Sequence, residues 1–228
     1  MQENYYAQNL NARRLYEVYQ TKYPRVLQYL DAELSFVRNH LHGTEHILEL
    51  GAGYGRIMKA LAPHCKSIVG IDISNDNVAF GKSYLQHIPN ARLDLMDAHQ
   101  IKPTSFDRQF DCILCLQNAL SAMKVEPFSY MKKIVSLLSP NGTAFISTYS
   151  ATFWEHRLVW FLEQAEKGLL GEIDLQQTKD GVIVGKDGFR ATTHSPEQLD
   201  EIGKASGYPY QIQEVDASSV FLIIHKKT

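Results

Sequence analysis

At 228 residues, 44% hydrophobic and 21% charged, the chain has the size and composition of one globular domain carrying an insertion. No apolar run approaches the roughly 18 residues a membrane span needs, so no membrane partner is expected. The net charge of −2 comes without a basic block, which removes the footprint of a strong nucleic-acid binder and favours a small-molecule partner.

The opening MQENYYAQNL lacks a basic start followed by an apolar stretch, so a cytoplasmic location is expected. From Leu10 to Leu41 apolar residues recur at helical spacing, and Tyr23-Pro24 breaks the run into two helices. After Gly43 the pattern becomes short apolar runs alternating with amphipathic stretches, the mark of β/α units feeding a parallel sheet. The strands expected are His46–Leu50, Ser67–Ile71, Ala91–Leu95, Phe110–Leu116 and Thr143–Tyr149. Helices are expected near Arg56–Leu61, Asn75–His87 and Phe128–Leu138, the last closed by the turn Ser139-Pro140-Asn141-Gly142. Cys112 and Cys115 lie in the fourth strand, where residues three apart face opposite ways; they are expected to be core residues and not a metal or redox pair.

From Ala151 to Thr193 an aromatic helical segment and short strand-like runs interrupt this rhythm, and the segment reads as a lid. Ser195-Pro196-Glu197-Gln198 has the capping-box pattern of a helix ending near Gly207, and strands Tyr210–Val215 and Val220–His225 complete the sheet. The expected organisation is an N-terminal helical cap (1–42), a core (43–150 and 194–228) and a lid insertion (151–193).

The chemistry is concentrated in ILELGAGYGRIMKAL, where a buried strand passes to a helix through Gly51, Gly53 and Gly55. A dinucleotide fingerprint requires a third glycine where Arg56 stands, which argues against a nicotinamide-dependent oxidoreductase. Glu49 would repel a pyrophosphate and attract a cationic group. Asp72 ends the second strand, where nucleoside-binding folds place an acid for the ribose hydroxyls, and Asp97-Ala98 ends the third, where a carboxylate can accept from an adenine amino group.

With E-x-G-x-G-x-G at Glu49 to Gly55, GIDIS at the second strand and MDA at Met96 to Ala98, the chain resembles the class I S-adenosylmethionine-dependent methyltransferases. The resemblance covers roughly Ile47 to Tyr149. It implies an α/β Rossmann-like fold with a seven-stranded sheet in the order 3-2-1-4-5-7-6, strand seven antiparallel and helices on both faces. The cofactor implied is S-adenosylmethionine, with S-adenosylhomocysteine as product. The cofactor-binding residues implied are Glu49, Gly51, Ala52, Gly53, Tyr54, Gly55, Asp72, Ile73, Asp97 and Ala98. Leu116 and Gln117 join them at the methyl-donor pocket, and Tyr16 and Tyr23 on a closing N-terminal helix. The segments Arg13–Glu33 and Trp154–Thr193 are similar to uncharacterised bacterial and archaeal members.

For the acceptor side, Cys115-Leu116-Gln117-Asn118 departs from the acidic or Asn residue, Pro-Pro and aromatic pattern of members that methylate nucleobase amines. Displacement at a sulfonium needs alignment more than acid catalysis, so no obligatory catalytic residue is implied. An alcohol or amine acceptor still needs a base, and His156, Tyr149 and Glu155 are the candidates. Asn118, Tyr149, Trp154 and His156 are the candidate substrate residues, with Phe153, Trp160 and Phe161 forming an aromatic wall or lid core. His40, His42 and His46 straddle a helix-to-strand junction and are not expected to hold a metal. A non-catalytic cofactor-binding module is compatible with the same residues, and the oligomeric state is open.

Overall fold

The computed structural model describes Tyr5 and residues 9–227. Helices α1 (Ala12–Val18) and α2 (Pro24–Arg38) precede the β/α core. The core runs β1 (His46–Leu50), α3 (Arg56–Leu61), β2 (Ser67–Asp72), α4 (Asn75–Tyr84), β3 (Ala91–Leu95) and β4 (Phe110–Cys115). It continues through α5 (Ala119–Ala122), α6 (Pro127–Leu137) and β5 (Leu138–Tyr149). Helix α7 (Trp154–Glu166) and the short hairpin β6 (Ile183–Val184) and β7 (Arg190–Ala191) follow, then α8 (Pro196–Ser206), β8 (Tyr210–Val215) and β9 (Ser219–His225).

The main sheet has seven strands in the order β3-β2-β1-β4-β5-β9-β8. Pairing is parallel from β3 to β5 and antiparallel at β5/β9 and β9/β8. Counting β8 and β9 as the sixth and seventh strands of this sheet, this is the order and polarity implied by the methyltransferase resemblance. Successive residues of each strand feed opposite faces. Leu48, Leu50, Ile113 and Cys115 pack in one apolar cluster with α6 and α8, whereas Ile47, Cys112 and Leu114 pack in the other with α3 and α4. Cys112 and Cys115 are thus buried on opposite sides of the sheet.

In the β/α core two boundaries differ from the sequence expectation by more than one residue. Strand β5 starts at Leu138 instead of Thr143, because the chain bulges out over residues 139–142 and rejoins β4 afterwards. Asn141 takes φ 63° in this excursion, so the turn chemistry is real but lies within the strand. Helix α4 stops at Tyr84, three residues before His87. Helix α8 has the expected capping box, with Ser195 and Gln198 side chains each accepting from the other's backbone N–H and Gly207 left-handed at its end (φ 75°).

A third apolar cluster joins α1 and α2 to α7 and the hairpin, through Val18, Tyr29, Phe153, Trp160, Phe161, Ile183 and Phe189. Polar contacts tie the same elements together. Glu163 accepts from the Thr21 hydroxyl and the Lys22 N–H, Arg14 donates to the Gly168 and Leu169 carbonyls, and Trp160 Nε1 donates to the Val18 carbonyl at 3.0 Å. The N-terminal helices and the 151–193 segment inserted in the core therefore form one covering layer. Among the described residues no helix is long and apolar enough to cross a membrane.

Candidate functional site

The turn from β1 to α3 determines the shape of the site. Gly51 and Gly53 both take positive φ (69° and 56°), a conformation costly for a residue with a Cβ. At Gly53 space is limiting as well, since a Cβ would stand 2.8 Å from Leu15 Cδ2 on α1. The loop backbone is pinned beneath, with Ala52 N–H donating to the Ile71 carbonyl and Gly53 N–H to Asp72 Oδ2, both at 2.9 Å.

Asp72 is the hub of the β2 end. Besides Gly53 it accepts from the Ser74 N–H at 2.9 Å and from Asn77 Nδ2 at 3.0 Å, both on Oδ1. Three of about four lone-pair directions are thus in use, and one on Oδ2 stays open. Asn77, buried at the start of α4, also accepts from the Ala12 N–H at 2.6 Å, which ties α1 to the same acid. Asp97, after β3, accepts from the His99 N–H and imidazole and from the Gln100 amide. Burial alone would raise its pKa, but these donors outweigh it and hold the carboxyl below the ordinary range. Glu49 is 3% exposed with Oε2 lacking any hydrogen-bond partner. Burial pushes its pKa up to about 8 against the pull of the nearby Arg56 guanidinium, with Asp72 adding to the rise.

These groups share one cleft at the carboxyl edge of the sheet, lined by Glu49, Gly51 to Tyr54, Asp72, Ile73, Asp97, Ala98, Leu116, Gln117 and Tyr149. Of the other residues singled out from sequence, Gly55 caps α3 behind the loop. Tyr16 packs on the outer faces of Tyr54, Phe80 and Tyr84. Tyr23 caps α2 at the covering layer. Asn118 is buried away from the lining, donating to the Thr192 carbonyl and accepting from the Thr148 hydroxyl, so it staples the end of the 151–193 segment to β5. Trp154 packs in the covering layer, and His156 and Glu155 are exposed on α7.

Several lining residues were not singled out from sequence as cofactor or substrate groups. Leu15, Val18 and Tyr19 form one face of α1 at i, i+3, i+4 spacing and close the cleft from above. That spacing was the available signal, and it favours Tyr19 over Tyr16. Arg56, Met123 and Gln164 also line the cleft, as do Trp160 and Phe161, which are at the same time packed in the covering layer. Among the described residues no group of His, Cys, Asp or Glu is arranged to hold a metal ion.

Comparison with known proteins finds likeness to methyltransferases. Residues 48–144 match the family described as a methyltransferase domain. The chain is 31% identical over 133 residues to an uncharacterized methyltransferase of Schizosaccharomyces pombe, over 54% of this chain and 45% of that protein. It is 28% identical over 131 residues to a ubiquinone biosynthesis O-methyltransferase of Coxiella burnetii, over 57% of this chain and 52% of that protein. The chain spans about half the length of the curated relatives it matches. Among solved structures, DhpI in complex with SAM and HEP superposes with a TM-score of 0.65 over 98% of both chains at 19% identity. A SAM-dependent methyltransferase from Methanosarcina mazei gives a TM-score of 0.61 at 18% identity, covering 84% of this chain and 97% of that one. At such identities the structural likeness speaks for the fold.

Proposed function

We propose that this chain, whose residues 48–144 match a methyltransferase domain, is a class I S-adenosylmethionine-dependent methyltransferase that transfers a methyl group to a small-molecule acceptor held beneath α7. The observation that carries the reading is the convergence of the glycine turn with Glu49, Asp72 and Asp97, from the ends of three adjacent strands, on one cleft. The residues present fit a sulfonium nucleoside. Gly51 and Gly53 hold a left-handed turn that brings bare backbone to the cleft, Asp72 keeps an open acceptor direction, and the buried Glu49 Oε2 lacks a partner. When bound, S-adenosylmethionine supplies an activated methyl group; the chain's own part is to hold, align and enclose.

In this reading Asp72 takes the ribose, Asp97 with Ala98 faces the adenine, and the Gly51–Gly53 backbone lies beneath the methionine portion. Leu15, Val18, Tyr19, Trp160 and Phe161 exclude water from above. Proximity and in-line alignment supply the main rate factor. Tyr149 is the candidate base or substrate residue that the cleft contains, whereas His156 sits exposed on α7. The 151–193 segment acts as a lid, together with the N-terminal helices to which it is joined by the shared apolar cluster. A cytoplasmic location, supported by three free buried cysteines, and a non-nucleic-acid acceptor, supported by the net charge of −2, complete the proposal.

Calorimetric titration with S-adenosylhomocysteine, followed by a metabolite screen for its release from S-adenosylmethionine, tests the reading. Tight NADH binding without S-adenosylhomocysteine binding would refute it.

A further inference from the structure

Buried polar atoms without partners gather where α2 meets the glycine turn. Glu33 on α2 is 1% exposed; its Oε1 accepts from the Ser147 hydroxyl and the Gln117 N–H, while its Oε2 has no partner. Glu49 on β1 is equally enclosed, again with an unpartnered Oε2. Arg56 at the start of α3 lies within electrostatic reach of both carboxylates. Its guanidinium sits 4.5 Å from the centre of the Tyr19 ring, with Nε and Nη2 buried and unpartnered. Glu49, Arg56 and Gln117 line the cleft, and Glu33 stands directly behind Gln117.

Two enclosed carboxylates thus have one guanidinium within electrostatic reach, and the Glu33 Oε2, Glu49 Oε2, Arg56 Nε and Arg56 Nη2 atoms are left without a hydrogen-bond partner. A buried charge without compensation is costly, so with both acids ionised this arrangement lacks one positive charge. We propose that Glu33 and Glu49, sharing Arg56, make the cleft charge-selective, so that it favours the cationic methyl donor over its uncharged thioether product. The inference rests on the cofactor assignment above. It adds Glu33, a residue outside the glycine motif, as a specificity determinant acting through the charge balance of the cleft.

The other charged and titratable groups around the pair do not supply the missing charge. Tyr29 on α2, Tyr19 on α1 and Cys115 on β4 are near enough to interact with one or both acids and are neutral near pH 7, and Asp72 adds a further negative charge. Tyr149 on β5 packs at a tilt against Tyr29, and Arg157 on α7 lies over the Tyr149 ring at 4.5 Å while donating to the Gly181 and Ala191 carbonyls. Burial pushes Glu33 up to about 7 and Glu49 up to about 8, in both cases against Arg56. Without a cationic ligand the pair therefore retains protons near neutrality, and a cation favours their release. Donor affinity must then rise with pH through this window and level off above it, because the ligand-bound pair is the more deprotonated one. The product lacks the sulfonium charge and should not show this rise. Charges common to donor and product, such as the amino-acid groups, cancel in the ratio of the two affinities.

The test uses the full chain and titrates S-adenosylmethionine, the inert amine analogue sinefungin and S-adenosylhomocysteine at pH 6, 7 and 8. Each titration is run in two buffers of different ionisation enthalpy. We expect the preference for the two cationic ligands over S-adenosylhomocysteine to grow about tenfold across the series, with proton release accompanying only the cations. Glu33→Gln keeps the shape of the side chain and should flatten that dependence. A ratio that stays within about twofold from pH 6 to 8 in the wild-type chain, which needs no variant to fold, overturns the inference and leaves the cofactor assignment intact. An unaltered dependence in folded Glu33→Gln overturns the role of Glu33. Failure of all three ligands to bind overturns the cofactor assignment itself.

Discussion

Replacing Asp72 with alanine removes the acceptor on which the cofactor turn depends. Three donors converge on its carboxylate, from Gly53 N and Ser74 N at 2.9 Å and Asn77 Nδ2 at 3.0 Å. All three donors belong to buried residues, so the Gly53 N–H, under Leu15, is left without a partner, and an orphaned buried donor costs about 1–3 kcal/mol. For a chain of this length that corresponds to a fall of roughly 2–12 °C in the thermal midpoint. Loss of the ribose acceptor should weaken S-adenosylhomocysteine binding by a similar free energy, or about 5- to 150-fold. Calorimetric titration of the folded variant measures the affinity, and scanning calorimetry the stability. Asn77→Ala separates the two contributions, because it removes one prop of Asp72 and leaves the carboxylate; its affinity should stay within about threefold of wild type. Wild-type affinity in folded Asp72→Ala would refute the assignment of this acid to the ribose.

Three further outcomes are expected. Gly53→Ala forces a Cβ into left-handed backbone (φ 56°) and against Leu15, so it should weaken S-adenosylhomocysteine binding about tenfold or more and loosen α1, read by calorimetry and by faster proteolysis near residue 15. Trp160→Ala opens the layer shared by α1, α2 and α7 and removes the bond to the Val18 carbonyl, at an expected cost of about 3–5 kcal/mol in urea unfolding. Burial would raise the pKa of Glu163, but the Thr21 hydroxyl, the Lys22 N–H and Lys167 outweigh it and hold it below its ordinary 4.5. A depressed folded pKa means stability that is present above the ordinary value and lost as pH falls through the folded one. Thermal midpoints measured from about pH 6 down to 3 should therefore fall less steeply in Glu163→Gln than in the wild-type chain.

The elements of the core were legible because each carries a local signal. Periodicity marked the strands, Pro24 and Pro196 marked helix starts, and Gly207 marked the end of α8. The boundary at β5 was misplaced for a local reason too, since Ser139 to Gly142 has turn chemistry whether the turn ends a strand or bulges within one. Side-chain direction near the cleft was less legible. Tyr16 and Tyr19 are three residues apart on α1, and the way the helix rolls against Leu15 and the glycine turn puts Tyr19 in the cleft and Tyr16 outside it. Asn118 has the same ambiguity: its position after β4 suggested a substrate contact, but its amide is engaged by Thr192 and Thr148.

By itself the sequence picked out the residues that line the cleft at the strand ends, from Glu49 through Gly51 and Gly53 to Asp72 and Asp97. Those residues sit at the strand ends and in the short turns that follow them, where a local constraint on φ and the position at a strand end dictate which residue types fit. Tertiary structure alone decided that Glu33, sixteen residues before Glu49, lies beside the same Arg56, and that two segments remote in sequence make one cover. Neither fact has a local signature, because a buried charge balance and a shared apolar layer come from packing between elements and not from the residue pattern of any one of them.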